Sequence, residues 1–139
     1  MQRAFSRALM LAAAVVVAGC DNDVEDRSPT TPPPTATETF EGSINTNGAM
    51  THTFNVSVGG TLEARLISLT PDPGTAVGFA LGTWNASSSL CQVTLTNDNA
   101  VQGAILTGTA SRAGTLCTRI FDTGRLTGAV NYTISVTHP

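Results

Sequence analysis

Thr53-Phe54-Asn55-Val56-Ser57-Val58-Gly59-Gly60-Thr61-Leu62-Glu63-Ala64-Arg65-Leu66 reads as two strands joined at a glycine pair. Phe54, Val56 and Val58 alternate with Asn55 and Ser57, and Leu62, Ala64 and Leu66 alternate with Glu63 and Arg65. A period of two turns one set of side chains to a core and the other to water. The same alternation returns at Tyr132, Ile134 and Val136, set off by Thr133 and Ser135. No segment of the domain sustains an apolar stripe of helical period, so the expected fold class is all-β.

Working outward, turn residues recur throughout: Asn47-Gly48, Pro71-Asp72-Pro73-Gly74, Asn97-Asp98-Asn99, Ala113-Gly114 and Thr127-Gly128. Between them about eight strands are predicted, at 38–44, 50–58, 61–69, 76–83, 89–95, 103–109, 115–121 and 130–137. Short, evenly spaced strands of this kind close into a sandwich or barrel. The expectation is a single antiparallel β-sandwich, jelly-roll-like, over residues 38–139.

Composition excludes one class of partner. The chain of 139 residues has no lysine, and from Cys20 onward five arginines face ten carboxylates, a formal −5. Nucleic-acid binders need a basic patch to meet phosphate and aromatic rings to stack bases. Only 5% of this chain is aromatic, so no nucleic-acid partner is expected.

Cys91 and Cys117 both fall in predicted strands. A bridge between them closes a loop worth about 3.5 kcal/mol in the chain-entropy model. A thiol nucleophile or a metal pair is the rival reading. It is disfavoured by spacing unlike Cys-x-x-Cys and by a histidine complement of only His52 and His138.

The amino terminus carries an address. Arg3 and Arg7 precede an unbroken apolar run from Ala8 to Ala18, and small residues lead into Cys20. A charged start, a short apolar stretch and a small-residue exit describe a secretory signal. The run is about half the roughly 20 residues that span a bilayer. Val17-Ala18-Gly19-Cys20 resembles the lipobox of bacterial lipoproteins. The resemblance implies that residues 1–19 are removed and that Cys20 is acylated, holding the protein to a lipid bilayer in the cell envelope, facing the periplasm or the exterior. Asp21 resembles the inner-membrane retention signal of enteric bacteria, a rule that does not hold in every bacterium, so the choice of membrane stays open. Residues 20–37 read as the lipidated cysteine plus a linker, acidic at first and then rich in proline and threonine. Such a linker is too poor in apolar surface to fold and is stiffened by its prolines.

Residues 39–137 resemble the pre-peptidase C-terminal domain of secreted bacterial proteases. The likeness is carried by Phe40-Glu41-Gly42, His52-Thr53-Phe54-Asn55-Val56, Gly60-Thr61-Leu62, Gly114-Thr115-Leu116-Cys117-Thr118-Arg119-Ile120-Phe121-Asp122 and Tyr132-Thr133-Ile134-Ser135-Val136. Leu116 stands where family members carry an aromatic residue. The resemblance implies a non-catalytic β-sandwich, of a kind that in some members binds polysaccharide or calcium.

Individual residues offer few sites. Trp84, the sole tryptophan, is a candidate for stacking on a sugar, set against packing at a strand end. Arg119, Asp122 and Arg125 cluster near one strand end and are a candidate ligand-binding group, set against a surface ion pair that orders the next loop. Calcium needs six to eight oxygens. Asn97, Asp98 and Asn99 could supply some of them, set against turn chemistry in which Asx side chains bond their own backbone, as at Asp72 and Asp122. His52 reads as a strand histidine and His138 as part of a frayed terminus. No serine occupies a Gly-x-Ser-x-Gly elbow. The expected role is therefore a tethered, non-catalytic binding or structural module without a cofactor, contacting an envelope protein or glycan. The alternatives are a carbohydrate- or calcium-binding module and, behind it, a small hydrolytic enzyme built on His52.

Overall fold

Eight strands account for about two thirds of residues 31–139, the part of the chain that the computed structural model describes. They are β1 (Ala36–Ile44), β2 (Ala49–Val56), β3 (Gly60–Thr70), β4 (Val77–Asn85), β5 (Leu90–Ala100), β6 (Ile105–Ala110), β7 (Gly114–Phe121) and β8 (Val130–His138). The expected signal, Cys20 and most of the linker lie outside the described residues.

The strands form two antiparallel four-stranded sheets, ordered β1-β8-β3-β6 and β2-β7-β4-β5. Four pairs are nested about the β4–β5 hairpin: β1 with β8, β2 with β7, β3 with β6, and β4 with β5. Pairing of β3 with β8 and of β4 with β7 folds this ribbon into a jelly-roll sandwich. The alternation read from the sequence supplies the core. Val130, Tyr132, Ile134 and Val136 of β8 face Phe54, Val56, Phe79, Leu81 and Ile120 of the opposite sheet.

Irregular strand positions move several side chains from where a strict period of two puts them. Ile67 is an extra residue in β3, between the pairs Leu66–Ile134 and Ser68–Thr133. Such a bulge resets the alternation, so Leu69 turns inward, Ser68 does not, and Ile67 is left exposed. Val58, expected inward, is exposed because β2 ends at Val56 and the chain must cross to the other sheet. Asn97-Asp98-Asn99, expected as a turn, lies inside β5. The register there shifts between Val77–Ala100 and Phe79–Asn97, and the Asn99 amide donates to Asn97 Oδ1 at 3.0 Å. Asx chemistry is present, but it shapes a bulge in a strand rather than a turn between strands.

β4 is buried on both faces from Val77 to Gly82. Small residues make this possible. The Phe121 ring lies over Gly78, and the backbone of β5 at Gln92 lies over Gly82, where any Cβ would collide. Cys91 of β5 is bridged to Cys117 of β7, with their Cα atoms 5.8 Å apart. These strands are not hydrogen-bonded neighbours, since β4 runs between them.

Candidate functional site

The sandwich stands open along its β5–β6 side. Leu95 pairs with Leu81 on the inward side of its sheet yet keeps 39% of its surface exposed. Its side chain reaches toward β6, where a Cβ on Gly108 would stand 3.2 Å from it. Around it is a cleft of about 390 Å³ with Leu62, Leu81 and Leu116 as its floor. The hydroxyl-bearing residues Thr83, Thr94, Thr107 and Thr109 line it as well. A second hollow of similar volume shares Thr83, Thr109 and Leu116 and adds Trp84 and Arg112. Trp84 is half-buried, at the end of β4 opposite Cys91. The lining can offer apolar surface, one indole ring, several hydroxyls and one guanidinium.

Arg119, Asp122 and Arg125 are not an ion-paired group. The Asp122 carboxylate accepts four backbone amides: Asn47 at 2.8 Å, Gly124 at 2.8 Å, Arg125 at 2.9 Å and Leu126 at 3.1 Å. These bonds, led by that from Asn47, hold its pKa below the ordinary carboxylate value. The loop after β7 is thus ordered by amide donors rather than by a neighbouring charge. Gly124, with φ of 86°, supplies the left-handed residue that the turn requires. Arg119 lies over the Phe121 ring, 5.4 Å from its centroid, and Arg125 donates to Asn99 Oδ1.

The Asn97–Asn99 oxygens do not converge. Asn97 Oδ1 accepts from the backbone, Asp98 accepts from the Thr96 hydroxyl, and Asn99 accepts from Arg125. Among the described residues no three His, Cys, Asp or Glu side chains come together in a metal-holding group.

The two histidines make separate polar contacts. His52 Nε2 lies 2.8 Å from the Tyr132 hydroxyl, and its ring stacks on Phe40 at 4.8 Å. Burial lowers the His52 pKa and raises that of Tyr132. Gly42 makes the pair possible, because a Cβ there would strike the Tyr132 phenol. The recorded partner of His52 is a phenol, not the carboxylate that a hydrolytic dyad requires. His138 is buried rather than frayed, at 3% exposure, with Nε2 3.0 Å from Glu38 Oε1. Sequence reading missed this because a penultimate residue normally lacks neighbours. Here β8 is a central strand, and its register sets His138 opposite Ala36.

The chain matches no protein-family model, and a search of curated proteins finds no significant match.

Proposed function

We propose that this chain is a cell-envelope lipoprotein, held to a bilayer by acylated Cys20, whose β-sandwich is a non-catalytic binding module. The open β5–β6 cleft carries the binding part of this reading. An apolar floor set among hydroxyls suits the CH face of a neutral glycan or an apolar side chain of an envelope protein. The non-catalytic part is supported by the engagement of His52, His138 and Asp122 in structural hydrogen bonds. The tether is supported by the lipobox-like Val17-Ala18-Gly19-Cys20. Kinship with the pre-peptidase C-terminal domain is part of the same proposal and accords with a non-catalytic sandwich.

Thermal melting of the mature chain carrying Cys20→Ser, against envelope glycans and against calcium, tests the binding part. A ligand of the folded state at 100 times its dissociation constant adds about 2.7 kcal/mol, which raises Tm by about 10 °C or more at this size. A rise that Leu95→Ser removes assigns the ligand to the cleft. A rise with calcium that Leu95→Ser leaves intact contradicts the cleft and returns attention to Asp98. Membrane partition that survives Cys20→Ser contradicts the tether.

A further inference from the structure

Strand register gathers the domain's point of entry and three of its turns at one end of the sandwich. Ala36 lies opposite His138, Val56 opposite Gly114, Gly60 opposite Ala110, and Thr83 opposite Leu116. The turns 57–59, 111–113 and 86–89 therefore share the end at which the chain enters β1. Contacts join them. The Ser57 amide donates to the Pro139 carbonyl at 3.2 Å. A Cβ on Gly59 would stand 2.9 Å from the Ser111 carbonyl oxygen, and Pro33 and Pro139 flank Gly60.

Two large aliphatic side chains meet water at this end, among the exposed serines Ser57, Ser87, Ser88, Ser89 and Ser111. Val58 is 44% exposed and Leu90 is 61% exposed. Between the turns, Trp84 and Arg112 line one hollow. Among the described residues, the loops of the two ends differ in charge. Arg112 is the only charged residue in the three turns. Asp72, Asp122 and Arg125 lie in loops at the opposite end, and Asp98 is in the half of β5 nearer to them. Among the described residues, the carboxylates on the strands nearest this end, Glu38 and Glu63, are paired with His138 and Arg65, while Asp21, Asp23, Glu25 and Asp26 belong to the linker that leads into it.

We propose that this end is a membrane-docking face, in which Val58, Leu90 and the Trp84 ring settle at the headgroup level and Arg112 meets lipid phosphate. The inference rests on the lipoprotein reading. Indole rings favour the membrane–water interface, and an arginine near an anionic leaflet is attracted to it. Carboxylates at the far end are held away from the same negative surface. Cys20 precedes Pro33 by 13 residues, a spacer that would span at most about 40 Å if it were extended throughout at ~3.1 Å per residue. The tether thus permits docking without forcing it. Two exposed aliphatic side chains hold a free domain to a membrane only weakly. Tethering makes the same contact intramolecular and raises its effective concentration.

Trp84, the only tryptophan in the chain, reports the contact directly. The lipidated mature protein is reconstituted into phosphatidylcholine–phosphatidylglycerol vesicles whose acyl chains carry bromine, a contact quencher of indole emission. The expected result is co-sedimentation with the vesicles, loss of Trp84 emission relative to unbrominated vesicles, and a blue-shifted spectrum. In Val58→Ser/Leu90→Ser, both at exposed positions, co-sedimentation persists and quenching is lost. Co-sedimentation with unquenched Trp84 overturns the docking face and leaves the anchor standing. Failure to co-sediment overturns the anchor, and the docking face with it.

Discussion

Removing the Cys91–Cys117 bridge is expected to destabilise the domain by about 3.5 kcal/mol without changing its fold. The cysteines are 26 residues apart, and the loop-closure entropy of a ring that size, at 25 °C, gives this figure. Against a typical total of ~5–15 kcal/mol, that is a large share. At about 4–8 °C per kcal/mol for a domain near 100 residues, Tm should fall by roughly 14–28 °C. Bridged β5 and β7 are not hydrogen-bonded neighbours, and β5 lies over Gly82 with no side chain beneath it. Hydrogen exchange should therefore rise first in β5, an edge strand. The assay is urea unfolding of the oxidised protein, the reduced protein, and Cys91→Ala/Cys117→Ala. Reduced and double-alanine proteins should agree to within about 1 kcal/mol, the small excess in the latter reflecting the void left at fully buried Cys117. Both should show a steeper denaturant dependence than the oxidised protein, because the uncrosslinked unfolded chain exposes more surface. A loss below about 1 kcal/mol with an unchanged slope would refute the entropic reasoning.

Other perturbations test separate parts of the structure. Leu66→Ala empties a fully buried site in β3 and should cost about 2–5 kcal/mol in urea unfolding. Gly42→Ala forces Tyr132 away from His52 and should cost about 1–3 kcal/mol in the same assay, whereas a Cβ at exposed Gly114 meets nothing within 4 Å and should be far milder. Burial lowers the His52 pKa below its ordinary 6.5, so the unfolded chain takes the proton first. Stability from this group is complete above pH 6.5 and is withdrawn as pH falls through the folded value, and His52→Gln should remove that part of the pH profile of Tm. Asp122→Ala should speed amide exchange at Gly124, Arg125 and Leu126, the donors that its Oδ1 holds, while Asp122→Asn should retain much of their protection.

The eight strands were legible because each is written in a local code of alternation and turn residues. All eight predicted segments coincide with observed strands to within a few residues at their ends, except at β5. There Asn97-Asp98-Asn99 has the composition of a turn, and only pairing with β4 makes it a bulge. Ile67 gave no local sign that the β3 alternation would slip, because the bulge is set by the register with β8. The same Asx chemistry was read correctly at Asp72, which accepts from the Gly74 amide, and at Asp122. The fourth Asp122 donor, Asn47, is 75 residues away and invisible to local reading. For the same reason the open cleft was not foreseen. Leu62, Leu81, Leu95 and Leu116 look like ordinary core leucines until the sheet order leaves β5 and β6 as edges.

Mass spectrometry of the amino-terminal peptide from protein extracted from cell membranes tests the membrane-tethered reading most directly. The expected product begins at Cys20, with a diacylglycerol thioether on its sulfur and no residue of the 1–19 segment. A chain that begins elsewhere, or that begins at Cys20 with an unmodified thiol, contradicts it.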